Sequence, residues 1–182
     1  MLNRFFVLAC AALGAVSWCR PGYANSDTFN TYGDVGAVGI PAIAGIISLA
    51  KKDYEGLKQL GLGYGVSVGS AYTLKYLVDA ERPNGGKHSF PSGHTASAFA
   101  GASYLHYRYG WDYGIPAYVA ASAVALSRID ADEHHWRDVI ASTILANAVA
   151  YFLTDKYESK VAVLPVVDPE NGAYGLTAAL RF

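Results

Sequence analysis

Three short groups of residues carry side chains suited to chemistry, and all of them lie between residues 75 and 138. They are, in chain order, Lys75 with Arg82-Pro83, then Pro91-Ser92-Gly93-His94, then Ser127-Arg128 with His134 and Asp138. A lysine and two arginines directed at one place favour a highly charged anion. Guanidinium forks match phosphate oxygens, and the ammonium group adds a point charge. The three groups therefore predict a phosphate-binding site.

The second group directly precedes an alanine-rich segment that is predicted to be a helix. Backbone N–H groups at a helix start point toward an anion placed there, and Gly93 would let that backbone approach closely. Each residue alone has a simpler explanation, because a cation at a helix end is usually solvated and Ser92 could be only an N-cap. The combination favours the anion site.

The third group supplies a candidate nucleophile. His134 and Asp138 are four residues apart, so on a helix they would be neighbours on one face. A carboxylate bonded to one ring nitrogen fixes the tautomer and leaves the other nitrogen free to attack. His94 titrates near neutrality and could donate a proton to the leaving oxygen. A His–Asp pair alone is more often structural or metal-binding, so this hypothesis depends on the nearby cations.

The same region also allows a different class of function, a non-enzymatic metal-binding protein. Six potential ligands fall within nine positions: Asp130, Asp132, Glu133, His134, His135 and Asp138. This interpretation leaves Lys75, Arg82 and Ser92 unexplained, and their region's positive charge would repel a metal ion. Phosphatase activity that survives a chelator would separate the two hypotheses.

Five long stretches without Asp, Glu, Lys or Arg must form the elements that position these groups. They are Val35 to Ala50, Gln59 to Leu74, Ser89 to Tyr107, Tyr113 to Ser127 and Val139 to Thr154. Alanine-rich runs of this length favour helices over strands. In an up-and-down bundle of such helices, all three groups fall at the same end. The sequence therefore predicts an all-α helical bundle.

The two ends of the chain differ from this pattern. Residues 1–24 combine Arg4, an apolar run and a small-x-small site before Asn25, which predicts a signal peptide, with an uncleaved first helix as the alternative. Residues 25–160 are the predicted helical domain. In residues 161–182, alternating apolar positions and the Asn171-Gly172 pair predict a possible short β-hairpin.

With these groups in place, the chain resembles the type 2 phosphatidic acid phosphatase and vanadium haloperoxidase superfamily. The signature K-x6-R-P, P-S-G-H and S-R-x5-H-x3-D is matched in order at all eleven specified positions. The resemblance implies the helical bundle of the acid phosphatase/haloperoxidase type and a phosphate clamp made by Lys75, Arg82, Ser92, Gly93 and Arg128. It implies that His134 forms a phosphohistidine, that Asp138 orients His134, and that His94 is acid and then base. It implies no metal and no other cofactor.

One departure from the family pattern is the acidic interior of the third group. Asp130, Asp132 and Glu133 could weaken the binding of highly anionic substrates, or they could pair with Arg137 and Lys87.

The leading hypothesis is a metal-independent phosphatase acting on phosphomonoesters or pyrophosphates, with phosphorylated lipids favoured as substrates. The alternative within the resemblance is a vanadate-dependent haloperoxidase, which bromide oxidation only after vanadate addition would support. A nucleic-acid partner is excluded, because 14 basic and 15 acidic residues leave no positive excess.

The signal segment predicts the periplasm or cell envelope of a Gram-negative-type bacterium. A soluble five-helix bundle and a six-helix membrane protein both place the active site toward the periplasm, and a membrane surface is a further candidate partner.

Overall fold

The computed structural model describes residues 26–158, 161–168 and 173–180 of the 182-residue chain. Within these ranges the elements are α1 (Ser26–Ala50), α2 (Tyr54–Leu77), α3 (Gly93–Tyr109), α4 (Trp111–Asp130), α5 (Trp136–Leu153), β1 (Val161–Asp168) and β2 (Ala173–Leu180). The two strands pair antiparallel, from Val161 opposite Leu180 to Asp168 opposite Ala173. The predicted all-α bundle is confirmed, and the possible hairpin is present. The predicted signal segment, residues 1–24, lies outside the described residues.

Helix α3 lies at the centre of the bundle and packs against the other four helices. Its small side chains make this possible, since Ala98 and Ala102 are completely buried. Gly101 faces α1 so closely that a Cβ atom built on it would lie 2.7 Å from the backbone nitrogen of Pro41. A larger residue at position 101 would therefore force α1 away from α3.

A buried ion pair closes one end of the bundle. Asp53 caps α2 by accepting the Gly56 N–H at 2.9 Å. The same carboxylate accepts two hydrogen bonds from the Arg108 guanidinium, at 2.7 and 2.6 Å, and one from the Tyr109 hydroxyl at 2.8 Å. Because these contacts join the start of α2 to the end of α3, they leave the end of α2 and the start of α3 together at the opposite end.

The outer faces of the helices expose many large apolar side chains. Val35 and Val38 on α1, Val119 on α4 and Ile144 on α5 are each more than 60% exposed. Within the described part of the chain, the Asp27–Ala50 segment passes the length and composition test for a helix able to cross a membrane. Exposed apolar surface of this kind marks contact with lipid or with another protein.

Candidate active site

The three motif groups meet at the end of the bundle opposite the Asp53–Arg108 pair. Lys75 lies in the last turn of α2, Ser92 caps α3, Arg128 lies in the last turn of α4, and Asp138 lies in the first turn of α5. The Ser92 N–H donates to the Asp138 carbonyl at 3.3 Å, which links the second group directly to the third. The sequence-based expectation that an up-and-down bundle gathers these groups at one end is confirmed.

The Asp138 carboxylate is completely buried and held in place by two donors. Its Oδ2 atom accepts the Ser89 hydroxyl at 2.5 Å and the His135 backbone N–H at 2.9 Å. His134 Nδ1 lies 3.7 Å from the same oxygen. His134 Nδ1 and Asp138 Oδ1 are both buried without a hydrogen-bond partner among the described residues. A small movement of the imidazole would therefore complete a His–Asp hydrogen bond and leave Nε2 as the free nitrogen.

His134 is not on the helix that its spacing from Asp138 predicts. Helix α5 begins at Trp136 with His135 as its N-cap, so His134 belongs to the preceding loop. The two side chains still meet, because Asp138 occupies the third helical position and its carboxylate turns back to the N-cap N–H. The two side chains are close, as the sequence predicted, but the prediction that both lie on one face of a helix was wrong.

The surroundings of His134 keep its imidazole neutral. Burial, followed by the positive charges of Lys75 and Arg82, lowers the pKa of His134 to about 4. Burial would raise the pKa of Asp138, but the hydrogen bonds from Ser89 and from the His135 N–H hold that pKa below its ordinary value. At neutral pH the pair is an unprotonated imidazole beside a carboxylate, which is the charge state that a nucleophilic histidine needs.

Lys75 and Arg82 lie on the side of the site nearest His134. The Lys75 ammonium donates to the His88 carbonyl at 2.8 Å, and burial together with the Arg82 charge lowers the pKa of Lys75 to about 8. A Cβ atom built on Gly93 would lie 3.7 Å from Lys75 Cε, so the lysine passes directly over the start of α3. Arg82 forms an ion pair with Glu133.

Arg128 is buried and all three of its nitrogens have partners. NH1 donates to Asp34 Oδ1 at 2.9 Å, NH2 donates to the Asn30 carbonyl at 2.5 Å, and Nε donates to the Ser127 hydroxyl at 3.1 Å. The guanidinium fits against α1 only because residue 33 is glycine, where a built Cβ would lie 2.2 Å from NH2. Helix α1 therefore forms one wall of the site.

His94 faces the same wall. Its Nε2 atom lies 3.1 Å from Asp34 Oδ1, the oxygen that also accepts from Arg128. Burial, followed by the Arg128 charge, lowers the pKa of His94 below its ordinary value. One carboxylate oxygen thus brings the candidate general acid and a clamp arginine together.

Asp34 is the residue of the site that the sequence analysis missed. The sequence does contain a clue to Asp34. Because successive helices of an up-and-down bundle run in opposite directions, the start of α1 lies at the same end as the three motif groups. Asp34 immediately precedes the first uncharged run, which begins at Val35.

The acidic residues of the third group are placed differently from either pairing that was considered. Glu133 pairs with Arg82, whereas Arg137 Nε lies 3.4 Å from Asp138 Oδ1. Among the described residues, no group of three or more His, Cys, Asp and Glu side chains is arranged to hold a metal ion. His135 Nε2 lies 3.1 Å from the Glu81 carbonyl. The six-ligand metal cluster considered above does not form.

Comparison with known sequences gives one family match and several similar proteins. The PAP2 superfamily matches residues 56–161, which include all three motif groups. The lipid A 4'-phosphatase of Helicobacter pylori is 32% identical over 133 residues, which cover 66% of this chain and 67% of that protein. The lipid A 1-phosphatase of Porphyromonas gingivalis is 36% identical over 121 residues, which cover 64% of this chain and only 26% of that longer protein.

Two solved structures share the fold. The crystal structure of Aquifex aeolicus LpxE superposes with a TM-score of 0.64 at 20% sequence identity, covering 73% of this chain and 87% of that one. A transmembrane PAP2 type phosphatidylglycerolphosphate phosphatase from Bacillus subtilis gives a TM-score of 0.59 at 22% identity, covering 83% of this chain and 85% of that one.

Proposed function

The chain belongs to the PAP2 superfamily, and on that premise we propose that it is a phosphatase that hydrolyses a phosphorylated lipid through a phosphohistidine on His134, without a metal ion. The observation that carries the proposal is a buried, neutral imidazole beside a buried carboxylate, at the same end of the bundle as three cations. We propose residues 25–160 as the catalytic domain, preceded by a signal segment and followed by the hairpin tail.

The first half of the reaction forms the covalent intermediate. His134 Nε2 attacks the phosphorus atom, and the bond from phosphorus to the ester oxygen breaks. His94 gives its proton to that oxygen, so that the lipid leaves as an alcohol. Asp138 accepts the Nδ1–H of His134 and stabilises the positive charge that the imidazole acquires.

The second half returns the enzyme to its starting state. His94, now neutral, removes a proton from a water molecule as the water oxygen attacks the phosphorus atom of the phosphohistidine. The nitrogen–phosphorus bond breaks, inorganic phosphate is released, and His134 regains its lone pair. The same histidine therefore serves as acid and then as base.

Charge stabilisation by the clamp accounts for most of the remaining catalysis. The transferred phosphoryl group spreads negative charge over three equatorial oxygens in the transition state. Lys75 and Arg82, whose charges act on His134, and Arg128, whose charge acts on His94, would supply positive charge to these oxygens, and the Ser92-Gly93 start of α3 would add backbone N–H groups.

Two observations support a lipid as the substrate. The similar proteins from Helicobacter pylori and Porphyromonas gingivalis are lipid A phosphatases. The helices of this chain also expose large apolar side chains such as Val119 and Ile144, which would suit contact with a bilayer.

We propose a location in the periplasm or envelope of a Gram-negative-type bacterium, with the catalytic end facing the periplasm. Carbonate extraction of membranes and N-terminal sequencing of the mature protein distinguish membrane-bound from soluble forms.

A phosphate-release panel tests the proposed function on purified protein. The panel contains lipid A, phosphatidate, phosphatidylglycerol phosphate, undecaprenyl pyrophosphate and a soluble phosphomonoester, each with and without an excess of chelator. We expect at least one lipid to be hydrolysed faster than the soluble ester, with the same rate in the chelator. Loss of activity on chelation would refute the metal-independent mechanism, and preference for the soluble ester would refute the lipid substrate.

The pH dependence of kcat/KM follows from the two histidines. His134 must be neutral to attack and its pKa is about 4, so activity should appear as the pH rises past about 4. His94 must be protonated, and its pKa lies below the ordinary 6.5, so activity should fall before the pH reaches 6.5. We therefore expect an acidic optimum between these limits.

The test is a kcat/KM profile of the wild type beside that of His94→Gln. The variant should be slower and should lose the decline on the alkaline side, because glutamine carries no titrating proton. An alkaline decline that persists unchanged in the variant would assign it to another group, such as the substrate phosphate.

A further inference from the structure

Both arginines of the proposed phosphate clamp already hold a carboxylate from this chain. Arg128 NH1 donates to Asp34 Oδ1 at 2.9 Å, and Arg82 forms an ion pair with Glu133. The Asp34 oxygen also lies 3.1 Å from His94 Nε2. Each carboxylate therefore occupies a donor that the proposed function assigns to a phosphate oxygen.

Arg128 is held more firmly than Asp34, and Arg82 keeps a second partner besides Glu133. Arg128 is 4% exposed and keeps two further acceptors, the Asn30 carbonyl and the Ser127 hydroxyl. Arg82 Nε keeps the Lys87 carbonyl at 3.1 Å. Asp34 is far more exposed than Arg128, at 56%, whereas Glu133 and Arg82 are similarly exposed, at 33% and 29%. A phosphate could thus displace Asp34 toward solvent without moving the Arg128 guanidinium, and it could replace Glu133 while Arg82 keeps its bond to the Lys87 carbonyl.

We propose that Asp34 and Glu133 are specificity-determining residues that compete with phosphate for the two clamp arginines. This inference rests on the proposed function, since it takes the arginines to be the phosphate donors. A carboxylate carries one negative charge, and a phosphomonoester dianion carries two and forms bidentate bonds with arginine. The site therefore retains an anion only if it binds the arginines better than the two carboxylates do, or if its lipid part makes additional contacts. The site would therefore hold free inorganic phosphate weakly and release it readily after hydrolysis.

Direct binding of inorganic phosphate to the full-length protein tests this proposal without relying on turnover. Titration calorimetry would compare the wild type with Asp34→Asn, Glu133→Gln and the double variant. We expect each single variant to bind phosphate about two- to fivefold more tightly, because an ion pair of this exposure contributes of that order. The double variant should bind more tightly than either single one.

Asp130→Asn is the matched control. Asp130 is exposed and lies three residues before Glu133. It carries the same charge as Asp34 and Glu133, but no ion pair joins it to Arg82 or Arg128. The control should bind phosphate as the wild type does, which would show that the effect comes from contact with the arginines and not from net charge. Asp34→Ser and Glu133→Ala serve as second variants if an amide substitution disturbs folding, as judged by circular dichroism.

Unchanged or weaker phosphate binding in the folded Asp34 and Glu133 variants would overturn the proposal, since it would mean that the carboxylates only orient the arginines. A second result would also overturn the proposal: the protein hydrolyses its lipid substrate, but none of its variants binds inorganic phosphate. In that case the proposed function would stand. Tighter binding in the variants of a protein that hydrolyses nothing would support the competition and refute the proposed function.

Discussion

Replacement of His134 by alanine is expected to abolish turnover, with a loss of about 10⁴-fold or more, because it removes the atom that attacks phosphorus. The fold should remain intact. His134 Nδ1 has no hydrogen-bond partner among the described residues, so the truncation removes no hydrogen bond made by that nitrogen. The backbone N–H of residue 134, which donates to the Arg128 carbonyl at 3.3 Å, is unaffected by the substitution.

The measurement is rapid-quench trapping with substrate labelled at the phosphate. The wild type should accumulate a protein-bound label that is lost in acid, as expected for a phosphohistidine, and His134→Ala should not. His135→Ala is the control. Position 135 carries the same residue type, and its backbone N–H to Asp138 survives the substitution. A His134→Ala protein that keeps more than a small fraction of activity, or that still traps the acid-labile label, would contradict the mechanism.

The catalytic end could be predicted from sequence because its residues are grouped in short local patterns. Lys75, Ser92 and Asp138 each lie within one turn of a helix end, and the order of the helices fixes which ends coincide. Neither step requires the rotation of a helix about its axis. Element order alone therefore brought these residues together.

The two carboxylates on the arginines could not be predicted in the same way. Whether Asp34 faces Arg128 depends on how α1 is rotated and how closely it approaches α4. That approach depends on Gly33, at which any Cβ atom would collide with Arg128. Glu133 lies five residues after Arg128 but pairs with Arg82, which is distant in sequence. Rotation and loop conformation are set by packing across the bundle, which residue spacing does not encode.

Replacement of Asp138 by asparagine is expected to lower kcat by about 10³- to 10⁴-fold, on the analogy of other carboxylate–histidine pairs. The geometry should be preserved, because the amide oxygen can accept the Ser89 hydroxyl and the His135 N–H that Asp138 Oδ2 now accepts. What changes is the other atom of the side chain. The amide nitrogen takes the place of Oδ1, which lies beside Arg137 Nε, so the atom nearest His134 Nδ1 is still an oxygen acceptor but no longer carries a negative charge.

The expected loss of activity therefore comes from the loss of charge. The imidazole becomes positively charged as the nitrogen–phosphorus bond forms, and a buried neutral amide stabilises that charge far less than a buried carboxylate does. Steady-state kinetics on the lipid that the panel identifies would measure the effect. We expect KM to change little, because the proposed mechanism assigns phosphate binding to Lys75, Arg82 and Arg128 and not to Asp138.

Ser89→Ala is the variant that separates charge from position. It removes one hydrogen bond to Asp138 Oδ2 but leaves the negative charge and the His135 N–H in place. The expected loss is about tenfold or less, since one hydrogen bond to a carboxylate contributes about 1.5 kcal/mol. If Ser89→Ala were as slow as Asp138→Asn, the position of the carboxylate would matter more than its charge. If Asp138→Asn kept more than a tenth of wild-type kcat, the negative charge of Asp138 would contribute little to stabilising the His134 imidazolium.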